Sequence, residues 1–260
     1  MIVFGTDFDD TLYFHAVQGA REEDIAAIEK FQKAGNVFGL VTGRSLVMRD
    51  QVEDMLHHRV NFDFFIYSNG ALLCDKEDHV LKEHFLPEEF VREVFNDMED
   101  VGFFFHTRNE LLGTPGAEGQ REFDFRIVHS LDEFDPSKVY SVSFVHLNEK
   151  GKRILEENRN RTDVVTVPNS RFADFNPLDA NKGLALLEMA KEVYGKKTEN
   201  GTVIPKSASI GDSFNDLAML KEADCSFTFP TSPKEVQDGA DHLVSGIAEA
   251  VDLLLKQDEE

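Results

Sequence analysis

Four short stretches of the chain carry residue types that do chemistry when they are brought together. The first is Asp7-Phe8-Asp9-Asp10-Thr11, where the apolar run Ile2–Phe8 gives way to carboxylates. Carboxylates this close repel one another, and burying them is unfavourable unless a cation neutralises them. An acidic turn after a strand is the plain alternative. The second is Gly211-Asp212-Ser213-Phe214-Asn215-Asp216, again behind an apolar run, with Asp212 and Asp216 one helical turn apart. Two acidic clusters on two strand ends suit a hard divalent cation. Mg²⁺ takes oxygen ligands and keeps several waters, so two carboxylates and a carbonyl suffice. Asp and Asn also favour helix starts, which is the competing explanation. The third is Thr42-Gly43-Arg44-Ser45, a hydroxyl and free backbone N–H groups at a helix start, which suit a phosphate. The fourth is Asn181-Lys182-Gly183. A lysine at a helix start opposes the helix dipole, so either it binds an anion or it is simply exposed.

The elements that must hold these groups alternate in type. Glu22–Ala34 has Ile25, Ile28 and Phe31 at helical spacing and stops at Gly35. Val37–Val41 and Asp63–Tyr67 read as strands, with a helix from an N-cap at Ser45 to about His57 between them. Strands alternating with helices predict a parallel sheet with crossover helices. The texture then changes. Ala71–Cys74 and Val80–Phe85 read as a hairpin, and Pro87–Asp100 as a helix with Phe90, Val94 and Met98 on one face. Val101–Thr107, Val139–His146, Val164–Val167 and Arg171–Phe175 read as strands, and Glu149–Arg159 as a helix. The first rhythm returns with helix Lys182–Val193, strand Ser207–Ile210, helix Phe214–Lys221, strand Cys225–Phe229 and helix Ser245–Lys256. The expected architecture is α/β: a Rossmann-like parallel-sheet core from residues 1–78 and 179–260, with an α+β cap inserted at 79–178. The acidic tail Asp258–Glu260 reads as solvated and disordered.

Composition narrows the function. The 260 residues carry 27 Lys+Arg against 49 Asp+Glu, a formal charge of -22. That balance opposes nucleic acid and anionic membranes, which are bound by clustered cations. A small anionic substrate needs local cations or a metal to overcome the overall field. Hydrophobic residues make up 41%, enough for real cores. Cys74 and Cys225 fit no zinc or CxxC spacing and read as reduced thiols. The opening MIVFGTDFDDTL lacks a basic n-region, and no apolar run approaches the roughly 18 residues of a membrane span. The expected setting is a reducing cytoplasm, with Asn160-Arg161-Thr162 and Asn200-Gly201-Thr202 as chance sequons and the chain a monomer or weak dimer. No GxxxxGK[ST], GxGxxG or HExxH occurs.

Taken in order and spacing, the four stretches resemble the haloacid dehalogenase superfamily, in its Cof-type branch with a large α/β cap. That family's DxDxT is matched by Asp7, Asp9 and Thr11, its strand-end Thr by Thr42, its Lys by Lys182, and its GDxxND by Gly211 to Asp216. Ser68-Asn69-Gly70-Ala71 resembles the branch's entry into the cap. Asp10 stands where the branch often has Gly, and Cys225–Ser232 departs from its usual Met-rich stretch. The resemblance implies a Mg²⁺-dependent phosphatase of small phosphate monoesters such as sugar phosphates. In it Asp7 is the nucleophile and Asp9 the acid and base. Thr11, Thr42, Gly43, Lys182 and Asn215 surround the phosphate. Asp7, Asp212 and the Asp9 carbonyl hold the metal, and Asp216 supports it. The chemistry asks for an ionised Asp7 beside a protonated Asp9. A cap would read the leaving group, with His106 and Arg108 as candidates or as ordinary residues of an amphipathic strand. A phosphomutase with the same core, and a phosphate-binding module without turnover, are the alternatives.

Overall fold

The apolar strands that precede the acidic clusters form the centre of an eight-stranded sheet. In this computed structural model, residues 1–96, 101–121, 123–145, 149–168, 172–198 and 201–257 are described. Strands β1 (Ile2–Thr6), β2 (Val37–Val41) and β3 (Phe64–Tyr67) are joined by helices α1 (Glu22–Lys33) and α2 (Arg49–Met55). β4 (Leu72–Asp75) and β5 (Val80–Glu83) follow as a hairpin. The first sheet is completed late in the chain by β14 (Lys206–Ile210), β15 (Cys225–Thr228) and β16 (His242–Leu243), giving the order β16-β15-β14-β1-β2-β3-β4-β5. All neighbours from β16 to β3 are parallel. β4 and β5 close the edge antiparallel.

Both faces of β1 are buried, as a parallel sheet requires. Phe4 turns to a core shared with Phe31, Phe38, Ile247 and Val251, under α1 and α8 (Ile247–Gln257). Val3 turns to the opposite core, with Ile66, Leu186, Met189 and Met219. That second core lies under α5 (Lys182–Glu188) and α6 (Leu217–Glu222).

Between β5 and α5 the chain builds a second sheet. Helix α3 (Glu88–Asn96) and strands β6 (Gly102–His106), β7 (Leu111–Gly113) and β8 (Arg126–Ile127) come first. β9 (Ser141–Val145), α4 (Glu149–Asn158), β10 (Val164–Pro168) and β11 (Phe172–Pro177) follow. The order is β10-β11-β9-β6-β7-β8, and one face packs Phe103, Phe105, Val142, Phe144 and Phe175 against Phe90, Val94 and Ile154 of the two helices. A small hairpin of β12 (Lys196–Thr198) and β13 (Gly201–Val203) and the short α7 (Lys234–Asp238) complete the elements.

Several expectations shift. The single helix expected from Ser45 to His57 is a tight turn at Leu46–Met48 followed by α2, and the Ser45 hydroxyl makes no capping bond. The chain leaves α2 through His57 and His58, both with left-handed φ (53° and 54°), so the pair is a helix end. The helix from Lys182 holds its α form to Glu188, then widens into a π turn at Met189–Val193. Phe214–Asp216 is a tight turn that leads into α6. Because β5 hydrogen-bonds to β4 within the first sheet, we propose that the inserted lobe begins after Glu83, not at residue 79. Met98 and the tail Asp258–Glu260 lie outside the described residues. Both cysteines are free thiols, and no described helix is long and apolar enough to cross a membrane.

Candidate active site

The carboxyl ends of parallel strands and the amino ends of helices converge on one point, the usual ligand-binding edge of an open α/β sheet. Asp7 is the first residue beyond β1, and its N–H donates to the Ile210 carbonyl at 3.0 Å, which ties the end of β1 to the end of β14. Asp212 follows β14 by two residues, and Lys182 opens α5. Asn181 caps that helix by accepting from the Leu184 N–H at 2.9 Å.

Lys182 is the electrostatic centre. Its ammonium donates to Asp7 Oδ1 at 2.6 Å and to Asp216 Oδ1 at 2.7 Å, with all three side chains buried. Two glycines make this closeness possible. A Cβ on Gly183 would meet the Ala218 carbonyl oxygen at 2.4 Å, so only glycine lets α5 rest on α6 here. A Cβ on Gly211 would strike the Asp216 carboxyl carbon at 2.4 Å. The other Asp216 oxygen accepts the N–H groups of Asp212 (3.0 Å) and Ser213 (3.1 Å), which orients the loop that carries Asp212. Oxygens of Asp7, Asp212 and Asp216 lie within 4.8 Å of one another. The Thr11 hydroxyl reaches Asp212 Oδ1 at 3.3 Å.

One lysine does not balance three carboxylates. Burial and then the neighbouring Asp216 push Asp7 well above the ordinary carboxylate range, and Lys182 only partly offsets them. Burial and Asp216 likewise push Asp212 up to about 7. Lys182 itself is held above its ordinary value, because the two carboxylates outweigh the cost of its burial.

Asp9 is placed differently. Its carboxylate points away from this cluster, toward Arg44, whose Nε and Nη2 grip the two oxygens at 3.0 and 2.7 Å. The His15 ring sits 2.7 Å from the same Oδ1. Burial pushes Asp9 up, but these two partners outweigh it and hold its carboxyl below the ordinary value. The order of proton affinities is therefore the reverse of what acid–base work by Asp9 needs. The physical reason is that Arg44 holds Asp9 by two bonds, while Asp7 shares its lysine with Asp216.

Thr42 is buried at the end of β2, with its hydroxyl accepting from the Arg44 N–H at 3.1 Å, and Gly43 follows it. Asn215 is half-buried, with its amide oxygen accepting the Ser213 hydroxyl. Asp10 is exposed with φ 56°, a left-handed conformation that explains a preference for glycine there and that Asp tolerates. Of the two cap candidates, His106 is buried while Arg108 is exposed.

The sequence pattern places Arg44 in the strand-end turn and Asn69 at the entry to the cap but gives neither side chain a role, and it singles out neither His15 nor Asp174. The arginine of Thr42-Gly43-Arg44 was the available signal. Its guanidinium also lies 4.9 Å above the Phe8 ring and donates to Gln51 at 3.2 Å, so it is a fixed clamp on Asp9. With Asp9 in the acid–base role that the resemblance implies, Arg44→Ala is expected to lower kcat about 10- to 100-fold with a smaller change in KM, because misplacing such a group costs rate more than binding. Arg44→Lys restores charge without the two-point grip, so partial recovery is expected. Steady-state kinetics of the two variants check this, and an Arg44→Ala enzyme with wild-type kcat contradicts it.

Comparison with known proteins agrees with this geometry. Residues 4–250 match the family model of haloacid dehalogenase-like hydrolases. The chain is 23% identical to a glucosyl-3-phosphoglycerate/mannosyl-3-phosphoglycerate phosphatase of Persephonella marina, covering 91% of this chain and 87% of that one. It is also 23% identical to a 5-amino-6-(5-phospho-D-ribitylamino)uracil phosphatase of Bacillus subtilis, covering 94% and 92%. Among solved structures, a sugar phosphatase of haloacid dehalogenase subclass IIB superposes with a TM-score of 0.79 at 20% identity over 98% of this chain and 99% of that one. A haloacid dehalogenase-like hydrolase from B. subtilis gives 0.81 at 18% identity over 97% and 99%. The chain belongs to the haloacid dehalogenase-like hydrolase family and is a phosphoric monoester hydrolase.

Proposed function

We propose that this protein is a Mg²⁺-dependent phosphatase of sugar phosphates or related small metabolites, working through an aspartyl phosphate on Asp7. The observation that carries the reading is the convergence of Asp7, Lys182, Asp212 and Asp216 at one strand edge. Relatives at 23% identity are named for phosphorylated small metabolites, and we carry over that class.

The donor set fits a hard cation. It is all oxygen, its carboxylates crowd within 4.8 Å, and Asp7 and Asp212 are pushed upward for want of counter-charge. Asp7, Asp212 and the Asp9 main-chain carbonyl would hold Mg²⁺, with Asp216 fixing the Asp212 loop. When bound, the ion supplies charge neutralisation to the carboxylates and to the transferring phosphoryl group. An Asp7 oxygen attacks phosphorus as the ester P–O bond breaks, and the leaving alcohol takes a proton from Asp9. Asp9 then takes a proton from water, whose oxygen attacks the aspartyl phosphate and frees Asp7. For this transfer Asp9 must hold its proton against the pull of Arg44 and His15. Lys182, Thr42 and Gly43 hold phosphoryl oxygens, and Lys182 remains the fixed positive charge at the nucleophile. Positioning and electrostatics supply most of the acceleration.

Ligand that binds only the native state stabilises it by about 2.7 kcal/mol at a hundredfold excess over Kd. The melting temperature is therefore expected to rise with millimolar Mg²⁺, and Asp212→Ala to lose most of the rise. An unchanged melting curve, with full activity in chelator, counts against the metal. The function itself is tested by phosphate release from a panel of phosphorylated metabolites with Mg²⁺. Release from none of them rules the reading out.

A further inference from the structure

The second sheet turns its apolar face to its own helices, so alternate residues face the first sheet. Ala173, Phe175, Val142 and Phe144 belong to the apolar core. Asp174 and Ser143 are cross-strand partners on the other face. His106, on β6, lies on that face as well, and both Asp174 and His106 are buried.

These residues join the first sheet through a chain of hydrogen bonds. His106 Nδ1 lies 3.2 Å from the Ser68 hydroxyl, and its Nε2 lies 2.8 Å from the Ser143 hydroxyl. Ser143 in turn bonds the Asp174 carboxylate. Asn69 Nδ2 donates to Asp174 Oδ2 at 2.8 Å. The Asn69 N–H donates to the Thr42 carbonyl at 3.0 Å, which sets this asparagine against the phosphate-binding turn. Asp174 is also close enough to feel the charge of Lys182. The network therefore lies over the catalytic groups.

Two features have no structural explanation of their own. Asn69 is 2% exposed, yet its Oδ1 has no hydrogen-bond partner among the described residues. It faces Gly43, where a Cβ would lie 3.0 Å away. Leaving a buried acceptor without a donor is unfavourable. Ser68 and Asn69 are also both left-handed (φ 49° and 53°), a conformation that persists only where surroundings impose it. Charge adds a constraint. Asp174 is the carboxyl of the network. Burial raises its proton affinity above the ordinary value, while its bonds from Ser143 and Asn69 and the charge of Lys182 favour the ionised form. Burial keeps His106 neutral by lowering it to about 4. The nearby cations Lys182 and Arg44 are already paired with carboxylates.

We propose that Asn69 and Asp174 form a hydroxyl-reading subsite for the leaving group, which selects neutral, hydroxyl-bearing phosphomonoesters and rejects those with a second anionic group. This deepens the phosphatase reading and rests on it. A substrate hydroxyl donates to Asn69 Oδ1 or to the Asp174 carboxylate. An alkyl group leaves these acceptors unpaired, and a carboxylate or second phosphate meets Asp174 in a buried, poorly screened setting.

The test compares sn-glycerol 3-phosphate, n-propyl phosphate and 3-phosphoglycerate, which share a three-carbon skeleton. The wild type is expected to show a kcat/KM for glycerol 3-phosphate at least about tenfold above either of the others. Asp174→Asn removes the buried charge and is expected to raise 3-phosphoglycerate about tenfold relative to glycerol 3-phosphate. Asn69→Gly keeps the left-handed turn and is expected to shrink the glycerol-to-propyl ratio to below about threefold. Wild-type ratios near one overturn the proposal without any variant. So do wild-type ratios in either variant when its melting curve shows it folded. Failure of the underlying phosphatase reading looks different: the wild type with Mg²⁺ would then release no phosphate even from p-nitrophenyl phosphate.

Discussion

Asp7→Asn is expected to abolish turnover, by on the order of 10⁴-fold or more, and to leave the protein folded. The amide keeps the shape of the side chain but removes the anion proposed to attack phosphorus. The same change removes one negative charge from a buried cluster in which burial and Asp216 already disfavour the ionised form of Asp7. The melting temperature is therefore expected to stay level or to rise. Loss of activity together with loss of folding is the pattern of a structural residue. Turnover within tenfold of wild type, with deamidation excluded by mass spectrometry, rules Asp7 out as nucleophile.

The second large effect is expected at Lys182. Its side chain is fully buried between two carboxylates, at 2.6 Å from Asp7 and 2.7 Å from Asp216. Replacing it with Met fills much of the same volume but leaves Asp7 and Asp216 without counter-charge. Breaking a buried pair by removing one partner costs about 3–5 kcal/mol, mainly through the charge left behind. Lys182→Met is thus expected to lose both stability and turnover. The double variant Lys182→Met/Asp216→Asn separates the two losses. It removes one of the two uncompensated charges, so stability is expected to recover in part. Turnover is not expected to recover, because the cation beside the proposed nucleophile is still missing. Equal stability of Lys182→Met and wild type contradicts the burial energetics, and an active double variant contradicts the catalytic role.

Much of this arrangement is legible in the residues themselves. The runs Ile2–Thr6 and Val37–Val41 are mostly apolar and buried throughout, the pattern that buried parallel strands demand. The acidic residues directly behind β1 and β14 fall on one edge because parallel strands end together. The short β7, β8 and β16 escaped because two or three residues carry no period of their own. Their pairing is decided by the longer strands beside them, as in Phe104–Gly113 and Phe227–His242. The π turn after Glu188 has the same apolar spacing as a regular helix and so reads as its continuation. The Asn69–Asp174 contact spans 105 positions, and no local pattern announces it. The clamp on Asp9 was hidden for a different reason. The spacing of Asp7 and Asp9 identifies two carboxylates, but only the fold shows that Arg44 and His15 hold one and Lys182 the other.

The most direct test of the central claim is to catch the intermediate. During steady turnover of an aryl phosphate with Mg²⁺, a rapid acid quench followed by peptide mass spectrometry reports where phosphate is attached. The account predicts a phosphoryl group on the peptide that carries Asp7, absent in Asp7→Asn and lost when the enzyme is allowed to exhaust its substrate before quenching. Phosphate release at the full rate with no adduct on Asp7 at any quench time, or with an adduct on another residue that turns over at the catalytic rate, would contradict it.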